Sequence, residues 1–230
     1  MSFMGNFAGS KAMKAHSKGD HAKALELYHQ AYEKGMDAPN MLRGYCVLLI
    51  RNQNYERAIE VIRKLEKIPN LPASHRTDMK MHYAVILSQK GHLDRAIEIL
   101  EEEFKAHKNG TLYSTLGYLK IEKGDFEDAL AFNLEAVEYD EEDGVFLDNL
   151  AQTYYRLGND KEKAKEYFDK AIALRPKAID TNYFLALYDI ENGDHEKAKL
   201  RLKIAKAGYF SPLNYATPEK IDELLAQLNA

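Results

Sequence analysis

The feature that most constrains this chain is a break that returns six times. A turn position at Gly19, Gln53, Gly91, Gly124, Gly158 and Gly193 is followed by an alanine at Ala24, Ala58, Ala96, Ala129, Ala164 and Ala198, so successive alanines lie 34, 38, 33, 35 and 34 residues apart. Upstream of each break a second small residue recurs, at Ala12, Cys46, Ala84, Gly117, Ala151 and Ala186. Large apolar residues fall between these marks at helical spacing. In residues 144–178, Leu147, Leu150 and Tyr154 precede the break at Gly158-Asn159-Asp160, and Phe168 follows it before Arg175-Pro176 ends the second run. Each period therefore reads as a helix hairpin, its small residues marking where two helices cross closely. Repeated in tandem, such hairpins bury their apolar faces against one another.

The order within residues 144–178 is a large residue, Leu, a small residue and Tyr, then Ala, an aromatic and Pro. It closely resembles the tetratricopeptide (TPR) signature, and the period is the TPR period. Leu147 stands in the aromatic place, Ala151 replaces the usual Gly, and the turn carries one extra residue. The resemblance implies an all-α fold, a right-handed superhelical α-solenoid of antiparallel helix hairpins. We place the repeats at 5–38, 39–72, 77–110, 110–143, 144–178 and 179–212, in a single solenoid over 1–230. Beyond them Thr217-Pro218-Glu219 signals a further helix over 217–229. Its stripe of Ile221, Leu224, Leu225 and Leu228 is expected to cap the last repeat.

Three places are irregular. The 38-residue step crosses IPNLPASHRTD, where Pro69 and Pro72 forbid a continuous helix, so a longer loop or an early helix start near Ser74 is expected. Glu103 stands where a small residue is usual, and Asn133 where an aromatic is usual. The first repeat offers only Ala8, Lys11, Ala12 and Ala15 in its first helix, which makes it the candidate surface for self-association.

Composition narrows the partners. A net charge of −4 and a pI near 6.1 argue against a dominant nucleic-acid or membrane partner. No stretch approaches 18 apolar residues, and the single cysteine cannot form an internal disulfide, so the expected location is the cytoplasm. Cys46 sits at a helix crossing, where a thiol packs like a small hydrophobe. His75 and His82 can share a helix face but have no third ligand beside them, and the contiguous carboxylates of 138–143 lack the alternation of a calcium loop. Gly5 to Lys11 has three residues between its glycines, not the four of a phosphate loop. No enzyme, cofactor or metal site is expected.

In the TPR family the first helices of successive repeats line a concave groove that holds extended or helical peptides. Carried over residue by residue, the groove positions are Arg43, Val47, Ile50 and Arg51 in repeat two, and Met81, Val85, Ser88 and Gln89 in repeat three. Repeat four supplies Ser114, Tyr118 and Ile121; repeat five supplies Asp148, Gln152, Tyr155 and Arg156; repeat six supplies Tyr183, Leu187 and Ile190. Packing between neighbouring first helices competes with ligand contact at these positions. The resemblance implies a non-catalytic scaffold binding a peptide or protein segment there. Alternatives are a peptide-sensing regulator, or an assembly factor binding through a charged convex face that includes Arg57, Arg63 and Lys64. The TPR subclass that clamps chaperone C-termini uses Lys and Asn, of which Asn149 alone is matched here, so no such clamp is expected.

Overall fold

Short polar side chains start these helices. Asp20, Asn54, Asn109, Asp125, Asp160 and Thr217 each accept a hydrogen bond from the backbone N–H three residues on, satisfying a donor that the first helical turn leaves open. Gly19, Gly91, Gly124 and Gly193 reverse the chain in the left-handed region, with φ of 76°, 84°, 87° and 79°. Gln53 adopts the same conformation at φ 57° although it carries a side chain. The computed structural model describes residues 3–229; the ends of the chain, 1–2 and 230, lie outside the described residues. Among the described residues there are thirteen helices and no strand.

The chain divides into two compact units, residues 1–103 and 104–230, the division falling inside the sixth helix. The first unit holds α1 (Phe3–Ser17), α2 (His21–Glu33), α3 (Pro39–Arg51), α4 (Tyr55–Glu66), α5 (Ala73–Gln89) and most of α6 (Leu93–Ala106). Ala12, Ala24, Cys46, Ala58, Ala84 and Ala96 are all fully buried, which fixes the hairpin register. Where Gly5 and Gly9 of α1 face Met36, an added Cβ would meet main chain and Met36 sulfur. Glycine there lets α1 lie close to the segment after α2. Glu103 is buried, accepting from Thr77 Oγ1 at 2.5 Å and pairing with Lys80, so its charge is compensated within this unit.

The 38-residue step resolves into helix. From repeat two onward, every other first helix begins seven residues before its small crossing residue, whereas α5 begins eleven before Ala84. The four inserted residues thus become one extra N-terminal turn of α5, which starts just after Pro72.

The second unit contains α7 (Gly110–Lys123), α8 (Phe126–Tyr139), α9 (Gly144–Gln152), α10 (Lys161–Leu174), α11 (Ile179–Glu191), α12 (His195–Lys206) and α13 (Pro218–Gln227). Its core joins Leu150, Ala151, Ala164, Phe168, Phe184, Ala186, Ala198 and Leu202, closed at one end by Ala216 and Ile221. Phe168 and Phe184 stack with centroids 5.0 Å apart. Leu224 and Leu225 of α13 and Leu228 just after it pack against this core.

The extra residue of the fifth repeat does not enter the turn. It is absorbed by a π-helical segment, Thr153–Leu157, that continues α9, with Gly158 N–H donating to Thr153 carbonyl at 3.1 Å. A π-turn holds one more residue without breaking the hydrogen-bond ladder. Gly158 therefore keeps a right-handed φ, and Asn159 takes the left-handed position at φ 52°.

Candidate functional site

The first-helix positions of the second unit form a connected polar line. Asp148 of α9 is buried and accepts from Thr181 Oγ1 of α11 at 2.5 Å and from Gln152 Nε2 at 2.8 Å. Gln152 Oε1 in turn accepts from Arg156 at 3.2 Å, and Arg156 pairs with Glu122 of α7 at 2.8 Å. Burial raises the Asp148 carboxyl to about 7, with the Asp180 charge pushing the same way. Asp180 is raised for the same first reason, although Ala216 N–H and Asn214 Nδ2 donate to it at 2.8 and 3.0 Å. Tyr118, also buried, stands beside Glu122, and burial raises its phenol.

Tyr215, in the loop before α13, completes this line. The Arg156 guanidinium lies 4.2 Å from its ring centre and the Lys220 ammonium 3.5 Å, while Phe184 stacks on it at 5.1 Å. A segment of the chain itself therefore covers part of the first-helix face of repeats five and six.

Beside that cover a cavity of about 350 Å³ remains open, lined by Tyr155, Leu187, Ile190, Leu224 and Leu228 with Glu191, His195 and Gln227 at its polar edge. Lys161 pairs with Glu191 at 2.5 Å and lies 5.8 Å from the Tyr155 ring centre. The chemistry this offers is an apolar recess with a small number of polar groups around it, which suits a bulky side chain.

The sequence-derived positions separate into classes by burial. Tyr155 and Leu187 line the cavity; Asp148, Gln152 and Arg156 form the polar line; Tyr183 is buried against Phe184 and Tyr215. Ile121 is buried, and Ser114 Oγ donates to Thr111 carbonyl at 3.0 Å. Asn149 Nδ2 donates to the Ser114 carbonyl at 2.9 Å, so its amide tethers two first helices.

In the first unit, Ile50, Met81 and Val85 are buried, Val47 and Arg51 are partly buried, and Gln89 is exposed. Arg43 pairs with Asp78, and the adjacent His82 imidazole is pushed down to about 4 by burial. His75 instead bonds Asn40 at 2.9 Å, so the two histidines serve different neighbours.

Sequence reasoning missed Glu122, Asp180, Tyr215, Leu224 and Leu228 as members of this face. The apolar stripe of 221–228 marks the leucines only as a cap. Tyr215 lies in the non-helical LNYAT, outside every repeat, where periodicity carries no signal.

Tetratricopeptide repeat profiles match residues 15–70, and 110–143 together with 146–177. A TPR repeat-containing protein of Methanocaldococcus jannaschii is 25% identical over 161 residues, which is 69% of this chain and 27% of that protein, so the match spans about a quarter of that relative. The Photosystem I assembly protein Ycf3 of Synechococcus sp. (strain CC9605) is 31% identical over 117 residues, 48% of this chain and 67% of that one. Among solved structures, a tetratricopeptide repeat protein from Parabacteroides merdae superposes with a TM-score of 0.73 at 13% identity, covering 98% of this chain and 84% of that one. A thermophilic TPR protein of Thermus thermophilus gives 0.61 at 18% identity, covering 77% of this chain and 94% of that one. Among the described residues no helix is long and apolar enough to cross a membrane. With its repeats matched over both units, the chain belongs to the tetratricopeptide repeat family.

Proposed function

We infer that this TPR chain is a non-catalytic scaffold that holds a peptide or protein segment on the first-helix face of residues 104–230, with one bulky apolar side chain seated between Tyr155, Leu187 and Leu228. The observation that carries this reading is the open apolar cavity beside a preorganised polar line. Tyr155 offers a large contact area with a polar tip, and Gln227 and Glu191 offer hydrogen-bond partners at the rim. Because Asp148, Gln152 and Arg156 already satisfy one another, they orient the face and recognise little by themselves. Affinity capture from a lysate of the source organism, comparing wild type with Tyr155→Ala/Leu187→Ala, tests the reading. A protein captured by wild type and lost from the variant, with helicity unchanged, supports it; equal capture by both refutes it.

A second reading, an assembly factor, is favoured by the similarity to a photosystem assembly protein. Under it the charged outer face of α4 would carry binding. There Arg57 pairs with Glu33 at 3.3 Å and Glu60 at 2.9 Å, and Lys64 lies 4.6 Å from the Tyr32 ring centre. Capture that falls with salt and with Arg57→Gln/Arg63→Gln favours this second reading.

A further inference from the structure

Helix α1 is built with its small residues inward and its large ones outward. Gly5, Gly9, Ala12 and Ala15 are its buried positions, whereas Phe3, Met4 and Phe7 stand 83%, 69% and 62% exposed, the three most exposed large apolar side chains among the described residues. They follow i, i+1 and i+4, so they crowd one side of the first two turns, where the Phe3 and Phe7 rings stack with centroids 6.5 Å apart. That side is held outward. Gly5 and Gly9 lie against Met36, and Asn6 ties the helix to the segment before α3: its Oδ1 accepts from the Asp37 and Ala38 N–H groups at 3.0 and 3.1 Å, and its Nδ2 donates to Asp37 Oδ1 at 2.7 Å. The end of a repeat array normally presents a polar outer face, so a fixed apolar one calls for a cover.

The order of residues along α1 selects that cover. The helix has no Asp or Glu, and after Phe7 its exposed side turns basic with Lys11 and Lys14. Lys14 lies three turns beyond Phe3 on the same arc instead of flanking it, so a helix lying flat in a lipid surface would press an ammonium into the apolar layer. A second copy meets no such conflict. We propose that the outer face of α1 pairs with the same face of a second copy about a two-fold axis at the level of Gly5, the helices antiparallel and Phe3 of each against Phe7 of the other. The two Lys11 side chains then stand roughly 18 Å apart along the helices and the two Lys14 roughly 27 Å, beyond a Debye length of about 8 Å. A parallel contact would instead set each lysine beside its counterpart. At roughly 200 Å² for a fully exposed side chain of this size, Phe3, Met4 and Phe7 leave about 400 Å² uncovered on each copy; with Ser10 and the stem of Lys11 around them, the pairing buries about 1,000 Å² in all, the lower end for a specific interface. The dimer is therefore of micromolar strength. It does not depend on the reading given for residues 104–230, to which α1 contributes no position.

Sedimentation velocity of the full chain, from low to high micromolar concentration, tests it. Wild type is expected to pass from monomer to dimer across that range. Phe3→Ser/Phe7→Ser should raise the dissociation constant at least about 100-fold with helicity unchanged, because both side chains are exposed in the monomer and buried only between copies. Lys14→Glu, far from the axis, should alter it less than about threefold, and raising the salt concentration should not weaken it. The proposal is overturned if wild type stays monomeric throughout, if the double serine variant dimerises as wild type does, if Lys14→Glu tightens the dimer strongly, or if Tyr155→Ala/Leu187→Ala abolishes it instead. It is overturned as well if a monomeric wild type cosediments with phosphatidylserine vesicles and the serine variant does not, a result that would assign the face to a lipid surface.

Discussion

Arg156, at the end of the π-turn, lies over the ring of Tyr215, with the guanidinium carbon 4.2 Å from the ring centre. That one contact ties the polar line of α7 and α9 to the loop before α13, because Arg156 also pairs with Glu122 and bonds Gln152. Tyr215→Ala should therefore loosen the end of the second unit. Loss of the stacking on Phe184 and of the cation–π contact is expected to cost about 2 kcal/mol. A urea titration followed by helicity reads this directly; a midpoint unchanged from wild type would show that the loop only rests on the surface.

Gly117 illustrates how a crossing position is specified by its neighbour. An added Cβ there would run into Asn133 Oδ1, and Asn133 is fully buried with its amide donating to Thr153 Oγ1 at 3.1 Å. Helix propensity favours Ala over Gly by about 1 kcal/mol, whereas overpacking costs about 1 to 3 kcal/mol. Gly117→Ala should thus destabilise, and the cost should shrink when Asn133→Ala is added. A double-mutant cycle with no coupling between the two sites would contradict this.

The buried carboxyl of Asp148 makes stability depend on pH with a definite sign. Its folded value, raised to about 7, lies above the ordinary carboxyl range, so the folded chain binds more protons than the unfolded one between about pH 4 and 7. Its contribution is fully present below about pH 4 and is lost as pH rises towards 7. His82 acts oppositely: neutral when folded and protonated when unfolded, it favours folding as pH rises from about 4 to about 6.5. The two trends overlap, so the readable quantity is a difference. Asp148→Asn should gain stability relative to wild type as pH is raised across about 4 to 7 in thermal melts, and a difference that is flat with pH would contradict the assignment. Asp180, Arg175 and Arg156 are the charges around this group that the same melts should probe next.

Cys46 is fully buried and its thiol is pushed up to about 12, so at about pH 8 almost no thiolate is present in the folded chain. Labelling by a thiol-specific disulfide reagent should be slow until urea unfolds the first unit. Rapid stoichiometric labelling of the native protein would show that the crossing opens.

Much of the fold was legible because its marks are local and repeated: a left-handed turn and a small residue return with each period, and Ala24, Ala58, Ala129, Ala164 and Ala198 all prove fully buried. The extra residue of repeat five was visible by count, but its place was not. A longer turn and a π-turn both accommodate one extra residue, so the count alone does not choose between them. The π-turn shifts the register after Ala151, so that counting forward selects Tyr155 and counting back from Ala164 selects Arg156 for the same place. The candidate site was half legible. Leu187 and Tyr155 follow from helical spacing, while Tyr215 and Asp180 meet through a loop whose path depends on long-range contacts.

The account's central claim, that the first-helix face of the second unit holds the partner, is tested most directly by site-specific photo-crosslinking. A benzophenone side chain placed at Leu187 should capture the same partner from a lysate that affinity capture identifies, and one placed at Glu166, exposed on α10, should not. Crosslinking from Glu166, or equally from both positions, would contradict the claim.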